Sequence, residues 1–149
     1  MIPQLDGNGV LPPGVYDTTL DEIRLRYATT AHRLNLWNAF MAFLDQKHRP
    51  AGAAPILWID GSYTTDKPNP SDIDVVADLS GTIRPVAAAT FSLWLEHDEI
   101  KRLYSVDFWM RHPTMPNDLA GFFQYVGEKK AVQLGISPKT AKGILRVTI

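Results

Sequence analysis

Asp72 and Asp74 stand two positions apart in an otherwise apolar run, with Ile73 between them and Val75 after them, and Asp107 sits alone between Val106 and Phe108. Side chains of an extended chain alternate faces with a period of two, so Asp72 and Asp74 point one way while Ile73 and Val75 point the other. Two carboxylates then share one small volume, and their repulsion calls for a compensating cation or a shared proton. A divalent metal is the simplest compensation. Asp107 adds to the demand, because aspartate is depleted within strands and costly to bury. Gly61-Ser62, which closes an apolar run at 56–59, precedes Asp72 by nine intervening residues. A glycine there lets the backbone approach a triphosphate without a clash, and the Ser62 hydroxyl with neighbouring amides can donate to phosphate oxygens.

Acids and a Gly-Ser turn in this order suit phosphoryl or nucleotidyl transfer, in which charge builds on oxygens that the protein must neutralise. Two Mg2+ ions about 3.5–4 Å apart clamp the attacking and leaving oxygens in such reactions, and carboxylates are the hard ligands that Mg2+ prefers. Asp72 and Asp74 are expected to hold both ions. Asp107 is expected to complete the shell of the ion that activates the attacking hydroxyl, and to accept its proton.

The elements that must carry these residues are legible from periodicity. Residues 56–59 and 72–79 read as strands, the second apolar on both faces and therefore central, and residues 104–110 as a third. Thr18 or Thr19, with an acid three residues on at Asp21 or Glu22, forms a capping box and starts a helix over about 20–27. Thr29 and Thr30 open another, with Leu34, Trp37, Phe40, Met41 and Leu44 as its apolar stripe; Arg33, His48 and Arg49 lie off that stripe, and His32 is a surface or capping residue. Pro85 suits the first turn of a helix continuing to about His97. Glu96 to Glu99 then radiate around the helix axis as a solvated face. A further helix is expected on Leu119, Phe122, Phe123 and Val126, and Ile144, Leu145, Val147 and Ile149 suggest a closing edge strand. The expected fold class is α/β (α+β), a small mixed sheet with helices packed against it.

The chain of 149 residues fits one domain, 1–149, with 1–16 an extended arm rich in proline and glycine. A hydrophobic fraction of 45% and a charged fraction of 21% are ordinary for a soluble globular protein. No run approaches the ~20 apolar residues of a membrane span, and the first residues lack the pattern of a signal peptide, so a cytoplasmic protein without membrane contact is expected. The absence of cysteine excludes disulfides, thiolate nucleophiles and cysteine-type zinc sites. Fifteen Lys and Arg against 16 Asp and Glu give a net charge of -1 and no global attraction to nucleic acid. Lys129, Lys130, Lys139, Lys142 and Arg146 are the one candidate for a local basic patch and read foremost as a solvated surface.

Gly61-Ser62, then Asp72-Ile73-Asp74, then Val106-Asp107-Phe108 resembles the signature of the DNA polymerase beta-type nucleotidyltransferase superfamily, across about a third of the chain. The resemblance implies that Gly61 and Ser62 handle the phosphates of a nucleoside triphosphate and that Asp72, Asp74 and Asp107 bind two divalent metals, Mg2+ or Mn2+. Lys67, Arg102 and Arg111 are candidate triphosphate ligands. The whole chain also resembles small nucleotidyltransferase-like proteins of bacteria and their phages, through Leu-Pro-Pro-Gly at 11–14 and Lys-Gly-Ile-Leu-Arg at 142–146. That second resemblance supports domain identity and says almost nothing about substrate. The enzyme reading expects transfer to a hydroxyl of RNA, protein or a small molecule, and resemblance to small enzymes of this type implies a cognate partner protein or homo-oligomer and a place in toxin–antitoxin or phage-defence systems.

Pro68 and Pro70 depart from the superfamily pattern, leaving room only for a short helix after Gly-Ser. Three other readings stand beside the enzyme. One is a catalytically weak fold that senses nucleotide or binds a partner. In another, Asp72 caps a turn and Asp107 pairs with Arg84 or Arg102. The third is a calcium loop using Asp66, Asn69, Asp72 and Asp74, without the glycine and glutamate of an EF-hand.

Overall fold

The computed structural model describes residues 1–115 and 124–149. It is a mixed five-stranded sheet with helices packed on it. In chain order the elements are β1 (Gly14–Thr18), α1 (Leu20–Tyr27), α2 (Ala31–Phe43), β2 (Ile56–Asp60), β3 (Ile73–Asp78), α3 (Arg84–Trp94), α4 (His97–Tyr104), β4 (Val106–Arg111), α5 (Glu128–Leu134) and β5 (Gly143–Thr148). A π-helical turn over Leu44–His48 and a final α turn over Arg49–Ala51 prolong α2. The strand order is β1-β5-β2-β3-β4. β1 runs parallel to β5, β2 runs antiparallel to both β5 and β3, and β3 and β4 are parallel.

The helix starts follow the local chemistry of the sequence. Thr19 accepts from Glu22 N while the Glu22 carboxylate accepts from Thr19 N, a complete capping box at α1. Thr30 accepts from Arg33 N at the head of α2, and Pro85 lies in the first turn of α3.

One face of the sheet is the core. Leu57, Ile59, Val75, Val106, Phe108 and Leu145 point into it and meet Ile23, Trp37, Phe40, Phe43, Leu93 and Ile100 from the helices. The opposite face carries a small apolar cluster of Trp58, Val76 and Ile144, with Ile56 and Trp109 packed against it.

Several expectations change. β5 lies inside the sheet, between β1 and β2, and not at an edge. Strand partners are fixed by distant sequence, and the edge place falls to β1, formed by residues at the end of the expected arm. Leu11 within that arm is buried. Helix α4 occupies 97–104, so the third strand starts at Val106 and not at Tyr104. Ile100 is the residue that α4 buries, too thin a stripe to be read from sequence. Arg33 and His48, placed off the α2 stripe, are both buried. Of the helix expected on Leu119, Phe122, Phe123 and Val126, the first three residues lie outside the described residues, and Val126 stands in a non-helical stretch before α5.

Candidate functional site

Strand register builds the site. Asp60 of β2 pairs with Asp74 of β3, and Asp74 pairs with Asp107 of β4, so three adjacent strands each place one aspartate in a single row. Cross-strand partners share a face. Two residues along each strand comes a second row on that face, Trp58, Val76 and Trp109. The acids therefore lie at one end of the face opposite the core, and Asp72 stands just before β3 at the same end.

Asp74 is the centre of this row. Burial pushes its carboxyl up to about 7, and repulsion from Asp72, Asp107 and Asp60 adds to the rise while Lys142 opposes it. Gly61, with φ of +76°, turns the chain directly beneath Asp74, and a Cβ there would overlap the Asp74 carboxylate. The glycine therefore makes room for a carboxylate of the protein itself. It opens a single 3-10 turn, Gly61–Thr64, in which Ser62 is half-buried.

Two lysines answer the four acids. Lys142 Nζ lies 2.7 and 2.9 Å from the two Asp60 oxygens, with the residues only 7% and 1% exposed. Burial still pushes the Asp60 carboxyl up to about 6, against the pull of Lys142. Lys101 of α4 lies 3.3 Å from both Asp72 Oδ2 and Asp107 Oδ2. Burial works against its charge, yet Asp107 and Asp72 hold its ammonium above the usual lysine range. Asp107 also accepts from Trp109 Nε1 at 2.9 Å, and its cationic partner is thus a lysine and not Arg84 or Arg102.

The loop between Ser62 and Asp72 is held from the head of α2. Arg33 donates to the carbonyls of Tyr63 at 2.7 Å, Thr65 at 2.8 Å and Lys67 at 2.6 Å, and His32 Nε2 meets Pro70 O at 2.6 Å. Five donors in a fixed plane suit Arg33 to gather carbonyls that no regular ladder satisfies. Lys67 itself is exposed. Arg102 pairs with Glu99, and Arg111 pairs with Asp78 beyond the Trp58 row.

The two terminal segments meet behind Asp60. Gly143 N donates to Leu11 O at 2.9 Å, and a Cβ on Gly143 would overlap Pro12 O and the Tyr16 ring. Residues 11–14 and 142–146 thus form one seam that sets Lys142 against Asp60.

The sequence missed Asp60, Lys101, Lys142 and Arg33. Asp60 had a signal, an acid ending an apolar strand just before Gly61. Lys142 was read as solvated surface and is buried, paired with a residue 82 positions away.

Donor chemistry fits a hard divalent cation, since four carboxylates face two ammonium groups in this cluster. Among the described residues no three His, Cys, Asp or Glu side chains stand together ready to hold a metal ion; Lys101 occupies the space between Asp72 and Asp107. A hollow of about 350 Å3 lies elsewhere, lined by Arg26, Tyr27, Arg33, Thr65 and Asp66 among others. Among the described residues no helix is long and apolar enough to cross a membrane.

No curated protein and no solved structure matches the chain. Residues 3–148 match DUF6932, a family of unknown function, and the chain belongs to that family.

Proposed function

We propose that the chain is a metal-dependent nucleotidyltransferase, moving a nucleoside monophosphate from a nucleoside triphosphate to a hydroxyl of RNA, protein or a small molecule. The observation that supports this is the row Asp60–Asp74–Asp107 beside Asp72, in which anions outnumber their lysine partners and the half-buried Asp74 carboxylate faces other carboxylates. Structural acids are paired by cations; acids arranged against each other suit an incoming cation.

Asp72, Asp74 and Asp107 would hold Mg2+ or Mn2+, which supplies Lewis-acid neutralisation of the triphosphate. Gly61 keeps the Asp74 carboxylate close under the turn, and the Ser62 hydroxyl with the turn's amides donates to phosphate oxygens. Asp107 takes the proton of the attacking hydroxyl as its oxygen bonds to the α-phosphorus, and the bond from that phosphorus to pyrophosphate breaks. Arg33 fixes the loop that carries these donors.

The test is incubation with α-labelled radioactive NTPs, Mg2+ or Mn2+ and a cell lysate. Label should pass to an acceptor with the wild type and fall at least about a hundredfold in Asp72→Ala/Asp74→Ala. No transfer with any NTP across several lysates overturns the enzyme. The Lys101 ion pairs favour a second reading, a nucleotide-sensing or partner-binding module, because the acids already have a partner; that reading expects nucleotide binding without turnover.

A further inference from the structure

Lys101 and Lys142 neutralise the acid cluster in different ways. The Lys142 ammonium is sealed against Asp60, whereas the Lys101 side chain is 50% exposed and reaches Asp72 and Asp107 from α4 at 3.3 Å each. Helix α4 is anchored by Ile100, next in sequence and buried, so the helix fixes where the Lys101 stem begins while the side chain stays half exposed to solvent. Lysine is a compact charge on a flexible four-carbon stem. A divalent ion carries twice that charge and prefers carboxylate oxygens, so its entry between Asp72 and Asp107 removes the ammonium from both. The freed ammonium remains within a stem's length of the acids, where the anions arriving with the metal are phosphates.

We propose that Lys101 is the resident counter-cation of the acid cluster, displaced by the metal–nucleotide complex and then paired with the triphosphate. The proposal rests on the nucleotidyltransferase reading for its ligand, and it predicts opposite signs for two affinities of one variant. Calorimetry at pH 8 on wild type and Lys101→Gln measures Mn2+ alone, and then Mn2+ with α,β-methylene-ATP. Removing the competitor should tighten Mn2+ alone about three- to tenfold. Removing the phosphate partner should weaken the nucleotide complex about tenfold. A lysine that only supports the fold would weaken both, and one that only competes would tighten both; equal signs, or no change in either, overturn the proposal. If wild type binds neither ligand, the nucleotidyltransferase reading falls with it; if wild type binds both and the variant matches it, the proposal alone falls. Lys101→Met carries the same test should the glutamine variant fail to fold.

Discussion

The two faces of one sheet are built from the same strands to opposite rules. On the helix-covered face Leu57, Ile59, Val75 and Phe108 are fully buried among apolar side chains. On the other face the same strands present Trp58, Asp60, Asp74, Asp78, Asp107 and Trp109. Much of that polar face is closed by pairs. Asp78 takes Trp58 Nε1 at 3.0 Å and Arg111 at 3.1 Å. Arg111 and Arg146 lie over the Trp58 ring at 5.4 and 5.7 Å, and Lys142 seals Asp60. Asp74 breaks the rule: burial raises its pKa most, and the charges of Asp72, Asp107 and Asp60 raise it further. The difference separates polar residues that complete a fold from those left in conflict, and conflict is what a ligand can relieve.

The largest effect should come from the covered face. Phe108→Ala removes a ring packed at 5.4 Å from Phe43 and 6.1 Å from His48, and should cost about 4 kcal/mol in urea denaturation. A cost comparable to a surface change would end the distinction between the faces.

Lys142→Met asks whether the sealed end of the polar face behaves as core. It leaves Asp60 buried without its cation, and the expected loss is about 3 kcal/mol at pH 8. Adding Asp60→Leu should restore most of it, because replacing both partners removes the stranded charge. A double variant as weak as the single one would show that the pair does more than neutralise itself.

Asp74 gives a smaller effect with a defined pH window. Its carboxyl titrates at about 7 in the fold against an ordinary 3.8. Between those values the folded protein keeps a proton that the unfolded chain has lost, so stability falls as pH rises from about 4 to about 7 and stays reduced above it. Asp74→Asn should therefore exceed wild type by about 2 kcal/mol at pH 8 and match it near pH 4. Part of the slope persists, because Asp60 is raised in the same direction, to about 6. Denaturation at both pH values checks this; a variant weaker than wild type at pH 8 would remove the claim of conflict.

The covered face was the legible one. Leu57 and Ile59, or Trp37 and Phe40, announce burial through periodicity, and Thr19 with Glu22 fixed a helix start by local chemistry. Asp72, Asp74 and Asp107 were legible as exceptions to that periodicity, and the parallel register of β3 and β4 aligns Asp74 with Asp107. Lys142 was not, because its pairing with Asp60 depends on β5 lying beside β2, a contact that no local pattern encodes. Arg33 was hidden for a similar reason, since it serves carbonyls of a loop some thirty residues on. Helix α4 gave a polar reading because one apolar residue anchors it, and Lys101 was hidden with it.

Trp109 adjoins Phe108 in sequence and points to the other face, so the two make the sharpest pair. Trp109→Phe keeps a ring against Trp94 and His97, now 6.0 and 5.5 Å away, and deletes the indole donor to Asp107 Oδ1. The expected stability loss is about 0.5–1 kcal/mol, an ordinary hydrogen bond at a half-buried site. Mn2+ affinity tells more. Trp109 holds one Asp107 oxygen while Lys101 faces the other, an arrangement that orients a carboxylate for a cation and that second partners of metal ligands commonly provide. A drop of about tenfold in Mn2+ affinity, from a change that hardly alters stability, would place Trp109 in the service of the site. Unchanged affinity would return it to the packing of the Trp58 row, and the boundary between fold and site would then run between Asp107 and Trp109.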